Sequence, residues 1–202
     1  MGLLNVFKKR SQVRTTCADC TAVRPKLLIN QPRKTMGLDS YLYAEKYLGN
    51  YDHSSDEEKE TYNKIVTALG MTDFAAVRRN SLYTRVEVAY WRKANHIHKF
   101  FVDLSEGEDK CEDIDVVRDD LVELLSRCKK LLESRDTPTE TNTVNPAEIL
   151  PTEGGFFFGS TDYGEHYYSD LQHTVKVLEK VLNHPAIPEE DYSWRFVYRA
   201  SW

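Results

Sequence analysis

Hydrophobic and polar positions change their spacing several times along the chain, and each change marks an element. Leu38, Ser40 and Leu42 alternate with Asp39, Tyr41 and Tyr43, which predicts a short strand over 36–43. The polar run 50–59 holds Ser54-Ser55-Asp56-Glu57-Glu58, where Ser55 is placed to cap a helix and Glu58 to close a capping box. A helix from Asp56 to Leu69, ended by Gly70, follows from that spacing. Leu82 to Tyr90 is rich in β-branched and aromatic residues, with Arg85 and Glu87 opposite Val86 and Val88, and reads as a strand. Beyond it the spacing turns helical. Trp91, Ala94, Asn95, His98, Phe101 and Val102 fall on one stripe, and Arg92, His96 and Lys99 on another. Asn95 and His98 therefore sit among apolar positions, where polar groups need partners.

Residues 103–113 form an acidic loop with Gly107, and Asp115 is placed to cap a long helix over 116–134. Leu121, Leu124, Leu125, Cys128, Leu131 and Leu132 form its inward stripe, with Cys128 a small core residue rather than a nucleophile. Residues 137–145 read as a loop. After a turn at 150–155, Phe156-Phe157-Phe158 reads as a short buried strand. Asp162 and Glu165 have capping-box spacing ahead of a helix that runs to His184-Pro185, and Trp194 to Trp202 alternates as a closing strand. Strands and helices intermix without a βαβ repeat. The fold class is α+β: a single domain over 36–202, a small mixed or antiparallel sheet packed with about four helices.

Charge sets the first 35 residues apart. They hold eight Lys/Arg against one acid, Asp19, while the whole chain is at −5. They show no sustained period, contain Pro25 and Pro32, and read as a flexible basic arm. Nucleic-acid binding, which rests on neutralising phosphates, is expected only through this arm, because the remainder is acidic. Cys17-Ala18-Asp19-Cys20 has the spacing of half a zinc knuckle, but Cys111 and Cys128 lie in differently patterned segments; incidental thiols and no metal are expected. No stretch approaches the roughly 18 apolar residues of a membrane span. Four cysteines behind no secretion signal imply reduced thiols and a cytoplasmic setting. Twelve tyrosines favour half-buried places at pockets and interfaces.

Met36-Gly37-Leu38-Asp39, the run Tyr90 to Phe101, Leu150-Pro151-Thr152, Gly155 to Tyr163 and Ser201-Trp202 together resemble a family of small phage- and prophage-encoded proteins over residues 36–202. The resemblance implies a viral context and the cytoplasm of a host cell. It brings no activity or ligand, and residues 1–35 look like an extension to the family's pattern. A kinase-type label on some relatives finds no Gly-x-x-x-x-Gly-Lys-Ser/Thr loop here to support it.

Two of these motifs offer chemistry. Arg92 and Lys93 are cations suited to an anion, Trp91 or Tyr90 to stacking on a flat group, and Asn95 and His98 to hydrogen bonding. Gly159-Ser160-Thr161, with Asp162 and Tyr163, precedes a helix whose free N–H groups favour phosphate or carboxylate. If the motifs meet, they bound a cleft for a small anionic, nucleotide-like ligand. Otherwise Asn95 and His98 serve buried backbone groups, and Ser160 and Asp162 cap their own helix. Two function classes follow: a non-catalytic binding protein for a host factor or a small anionic ligand, and a small hydrolase or transferase of a phosphorylated substrate with His98 as acid/base, paired with Asp162 or Glu165. No cofactor motif is found. His96 and His98 point apart on a helix and share no metal, and the acidic loop has no EF-hand spacing.

Overall fold

A computed structural model describes residues 37–75, 80–105, 109–136 and 144–202. The basic arm, the Cys17/Cys20 pair and most of the 137–145 loop lie outside the described residues. The rest is a single α+β domain. Four strands, β1 (Asp39–Asn50), β2 (Asn80–Arg92), β3 (Ile114–Val116) and β4 (Trp194–Ser201), form an antiparallel sheet in the order β2-β1-β4-β3. Among the described residues the helices are α1 (Asp56–Ala68), α2 (Thr72–Ala75), α3 (Asn95–Leu104), α4 (Arg118–Asp136), α5 (Pro146–Ile149) and α6 (Glu165–Leu182).

Alternation along β1 sorts the two faces of the sheet. Leu42 and Ala44 are fully buried toward a core shared with Leu121, Leu124, Leu131, Leu171 and Leu178 of α4 and α6. Each of these side chains is worth about 1.5–3 kcal/mol when removed from water. Tyr41, Tyr43, Glu45 and Tyr47 point the other way. β1 is longer than the expected 36–43 because strands flank it on both sides. Its register runs Tyr41↔Tyr90 and Tyr43↔Glu87 against β2, with a bulge that leaves Val88 as the extra residue, and Tyr43↔Val197 against β4.

Local signals account for the helix ends, with several differences from expectation. Ser55 caps α1, its hydroxyl accepting from the Glu58 N–H at 3.1 Å. The Glu58 carboxylate closes no box; it accepts instead from the Gly49 N–H at 2.6 Å and ties α1 to the end of β1. Gly70, at φ 70°, ends the turn after α1. Asp115 caps nothing, because it lies in β3, where pairing with Val197 competes successfully for its backbone; Asp120 reaches back to the Val117 N–H instead. Phe156-Phe157-Phe158 is a turn, not a strand, and Phe156 is exposed. Gly164, not Asp162, is the N-cap residue of α6, and no side chain caps that helix. Glu165 pairs with Arg135 at 2.6 Å.

The largest difference is at the Tyr90–Phe101 run. Trp91 and Arg92 belong to β2, and α3 starts only at Asn95. Lys93 makes the junction with φ 59°, a left-handed conformation that costs a non-glycine residue about 1 kcal/mol, held by its N–H donating to the Leu38 carbonyl at 2.8 Å. α3 is covered nearly all round, so His96, set by its spacing on a second stripe with Arg92 and Lys99, is 3 % exposed.

Candidate functional site

Gly37-Leu38 lies between the two motifs and joins them. The Lys93 N–H donates to the Leu38 carbonyl, and the Leu38 N–H donates to the Phe157 carbonyl at 3.0 Å. Asn95 then locks the loop: its Nδ2 donates to the carbonyls of Phe158 (3.2 Å) and Ser160 (2.8 Å), and its Oδ1 accepts from the Glu153 N–H (3.2 Å). The Trp202 ring packs 5.6 Å from His98 and 5.9 Å from Phe158. Thus the motif segments, 70 or more residues apart in places, converge on one knot around Asn95 and His98.

The knot is packed. Gly159, at φ 91°, lies so close to Lys93 that an added Cβ would stand 3.1 Å from the lysine Cβ and 3.2 Å from its carbonyl oxygen. Trp91 is buried, its Nε1 donating to the Thr174 hydroxyl at 2.9 Å, so its ring is not offered to a ligand. Arg92 pairs with Asp39 at 3.0 Å, and the Tyr90 hydroxyl donates to the same carboxylate. Ser160 donates to Asp162 at 2.8 Å and accepts from the Asp162 N–H at 3.1 Å. The Thr161 carbonyl accepts from the Thr152 hydroxyl, and the Thr152 N–H donates to the Tyr163 hydroxyl. So the structure brings Lys93, Asn95 and Ser160 together, while Arg92 is tied to Asp39 and Ser160, Thr161, Asp162 and Tyr163 are bonded within their own loop.

His98 is held at both nitrogens. Nδ1 lies 2.8 Å from the Tyr198 hydroxyl and Nε2 3.0 Å from the Asp109 carboxylate. A carboxylate only accepts, so Nε2 carries a proton, and in the neutral ring Nδ1 is then the acceptor for the Tyr198 hydroxyl. The acidic partner is Asp109, not Asp162 or Glu165. Tyr198 is fully buried against Phe101, ring centroids 4.2 Å apart, and that burial holds its phenol far above the ordinary range. A cleft of about 290 Å³ opens beside Asp109 and Cys111, with His98 and Tyr198 in its wall. The imidazole is fully buried and its bonds are satisfied, the arrangement of a positioned core group.

The more open chemistry is on the other face of the sheet. Glu45, in the middle of β1, accepts from Arg85 of β2 and from Arg195 of β4 at 2.7 Å. Asp113 accepts from Arg85 and, at 3.1 Å, from Arg199. These groups form one chain of charge across three strands. Burial opposes ionisation of Glu45, but the hydrogen bonds from Arg195 and Arg85 outweigh it and hold its carboxyl below the usual range; Asp113 is held low in the same way, its own burial overcome by Arg85 and Arg199. Tyrosines line the network. Tyr41 lies 5.3 Å from Tyr90, Tyr47 5.1 Å from Tyr83, and the Arg85 guanidinium 4.7 Å from the Tyr43 ring. Tyr83 is 67 % exposed. At the end of β1, beyond the start of β4, a larger cleft of about 840 Å³ lies between Tyr47, Tyr83, Glu58 and Trp194. This face escapes a helix-first reading of Tyr90–Phe101. Its signal is the alternation of Tyr41, Tyr43, Glu45 and Tyr47 with Leu42, Ala44 and Leu48, broken only by Lys46, and the spacing of Tyr83, Arg85 and Glu87 around Val86.

Comparison with protein-family models, with curated proteins and with solved structures gives no match. Among the described residues no group of three or more His, Cys, Asp or Glu side chains is placed to hold a metal ion, and no helix is long and apolar enough to cross a membrane.

Proposed function

We propose that this chain is a non-catalytic binding protein that engages a macromolecular partner through the tyrosine- and arginine-lined face of its sheet. In the phage context implied by its sequence motifs, that partner is a host protein and the setting is the host cytoplasm. The observation that carries the reading is the face itself: Tyr41, Tyr43, Tyr47, Tyr83 and Tyr90 arranged around the Arg195–Glu45–Arg85–Asp113–Arg199 network. Tyrosine and arginine are among the residue types enriched at protein interfaces, because they present large contact area and directed hydrogen bonds. A sheet face lined by tyrosines, with a cleft at its end, suits a protein better than a nucleotide. The small-ligand reading loses support because the seam between the motifs is filled at Lys93 and Gly159. The hydrolase or transferase reading loses support because both nitrogens of His98 are engaged and its ring is buried.

A photo-crosslinking amino acid placed at Tyr83, and separately at Val122 on α4, tests this in extract of the host cell. A discrete adduct from position 83, absent from position 122 and abolished by Arg195→Ala, is the expected result. Equal labelling from both positions, or none from position 83, overturns it.

A further inference from the structure

The two edges of the sheet differ sharply. β3, at one edge, is three residues long, too short to template another strand. β2, at the other, runs for 13 residues without proline or glycine. The far end of that edge is closed by the bulge at Val88 and by His173 of α6, which donates to the Tyr90 carbonyl at 3.0 Å; the stretch before it, from Ser81 to Glu87, is left open, and an open edge of this kind invites pairing with another chain. The apolar cover is also incomplete there. Ala89 and Trp91 at one end of β2 are buried, yet Val86 is 52 % exposed, although its β1 neighbour Ala44 is fully buried. The helix layer thins towards the middle of this strand and leaves Val86 open at its edge, between half-buried Thr84 and Val88.

The charges around that midpoint are self-complementary. Val86 is the central residue of Asn80–Arg92, with Arg85 before it and Glu87 after it on the opposite face. Placed antiparallel against itself about a two-fold axis at residue 86, β2 sets Arg85 against Glu87 of the second copy, and Glu87 against Arg85, on the tyrosine face. Thr84 meets Val88, and the two Val86 side chains meet on the axis on the helix side. Glu87 makes no ion pair among the described residues, so it is available for this contact. Arg85 is drawn inward by Glu45 and Asp113, so across the axis it meets Glu87 through its positive charge and not through a directed hydrogen bond.

We propose that the chain self-associates through the edge of β2, as a two-fold dimer with an antiparallel β2–β2 pairing centred on Val86. The result is one eight-stranded sheet in which the two tyrosine faces become continuous. This inference rests on the edge and not on the partner-binding reading, and either stands without the other.

Sedimentation equilibrium of the full chain tests it. The expected result is a dimer whose dissociation constant rises at least about tenfold in Glu87→Lys, which sets two cations opposite one another. Residues facing one another on the axis have Cα atoms about 4.5–5.5 Å apart, within disulfide range. Val86→Cys is therefore expected to cross-link two chains under mild oxidation, while Val122→Cys on α4 is not. A species that stays monomeric up to roughly 100 µM overturns the proposal, that being a concentration at which a contact of about 5.5 kcal/mol would show. So does a dimer indifferent to Glu87→Lys, or cross-linking no faster at position 86 than at position 122.

Discussion

The side-chain amide of Asn95 donates to the Ser160 carbonyl at 2.8 Å, and this contact joins stretches of chain 65 residues apart. With the bonds to Phe158 and Glu153, it makes one buried residue the fastener of the whole 153–160 loop. Asn95→Ala leaves two carbonyls and one N–H without their partner, at a cost of roughly 2–4 kcal/mol. Denaturant titration is expected to show that loss, and hydrogen exchange to show the 153–160 amides opening first. A functional anion site at this position would instead lose binding with stability intact.

His98 allows a comparison of its two partners. Tyr198 is fully buried and would lose the acceptor for its hydroxyl in His98→Ala, whereas Asp109 is partly exposed and can turn to water. His98→Ala is expected to cost about 3 kcal/mol, and Asp109→Asn less than about 1 kcal/mol. A catalytic relay predicts the contrary pattern, with Asp109→Asn abolishing a turnover while stability hardly moves. Thermal unfolding of the two variants distinguishes the cases.

His96 and Asp170 shape the pH dependence in opposite directions. Burial lowers the His96 pKa from 6.5 to about 3, and its Nε2 has no hydrogen-bond partner. The unfolded chain takes up this proton near 6.5 while the folded chain does not until about 3. Stability from this group is therefore complete above pH 6.5 and falls, by roughly 4–5 kcal/mol, as the pH drops toward 3. His96→Phe keeps a ring against Tyr167, 4.3 Å away, and is expected to flatten that acid limb by about one proton. Asp170 is pushed up from 3.8 to about 6 by burial, against the pull of His173 and His166. Its ionisation costs stability as the pH rises through that window, so Asp170→Asn is expected to raise the melting temperature above pH 6 and leave it unchanged below 3.8. Melting curves from pH 3 to 8 check both.

Elements whose signals are local were legible in the sequence. Ser55 starts α1, the leucine stripe of α4 faces inward as spaced, and β4 follows its own alternation. The errors arise where distant chain decides. Trp91 has helical spacing with Ala94, Asn95 and His98, but pairing with Ser40 holds it in β2, and the left-handed Lys93 resets the count. A wheel drawn from Trp91 sets His96 with the charged Arg92 and Lys99, apart from the apolar stripe, yet α6 covers it through Tyr167. Phe156-Phe157-Phe158 has strand composition, but the Phe157 carbonyl is taken by Leu38 in a turn. The meeting of the two motifs was legible as a question; that its centre is filled depends on the approach of Gly159 to Lys93, which no spacing rule contains.

Because β4 is threaded between β1 and β3, the order of synthesis and the order of assembly are at odds. A chain still short of residue 194 can join β1 to β2, but the groove that Tyr198 fills stays empty, and Glu45 waits for an arginine 150 positions downstream. Contacts of such sequence separation form slowly. While they are pending, β1 keeps one edge unpaired and the core lacks Phe196 and Tyr198, so a nascent chain that has not yet added β4 is more adhesive than the folded one.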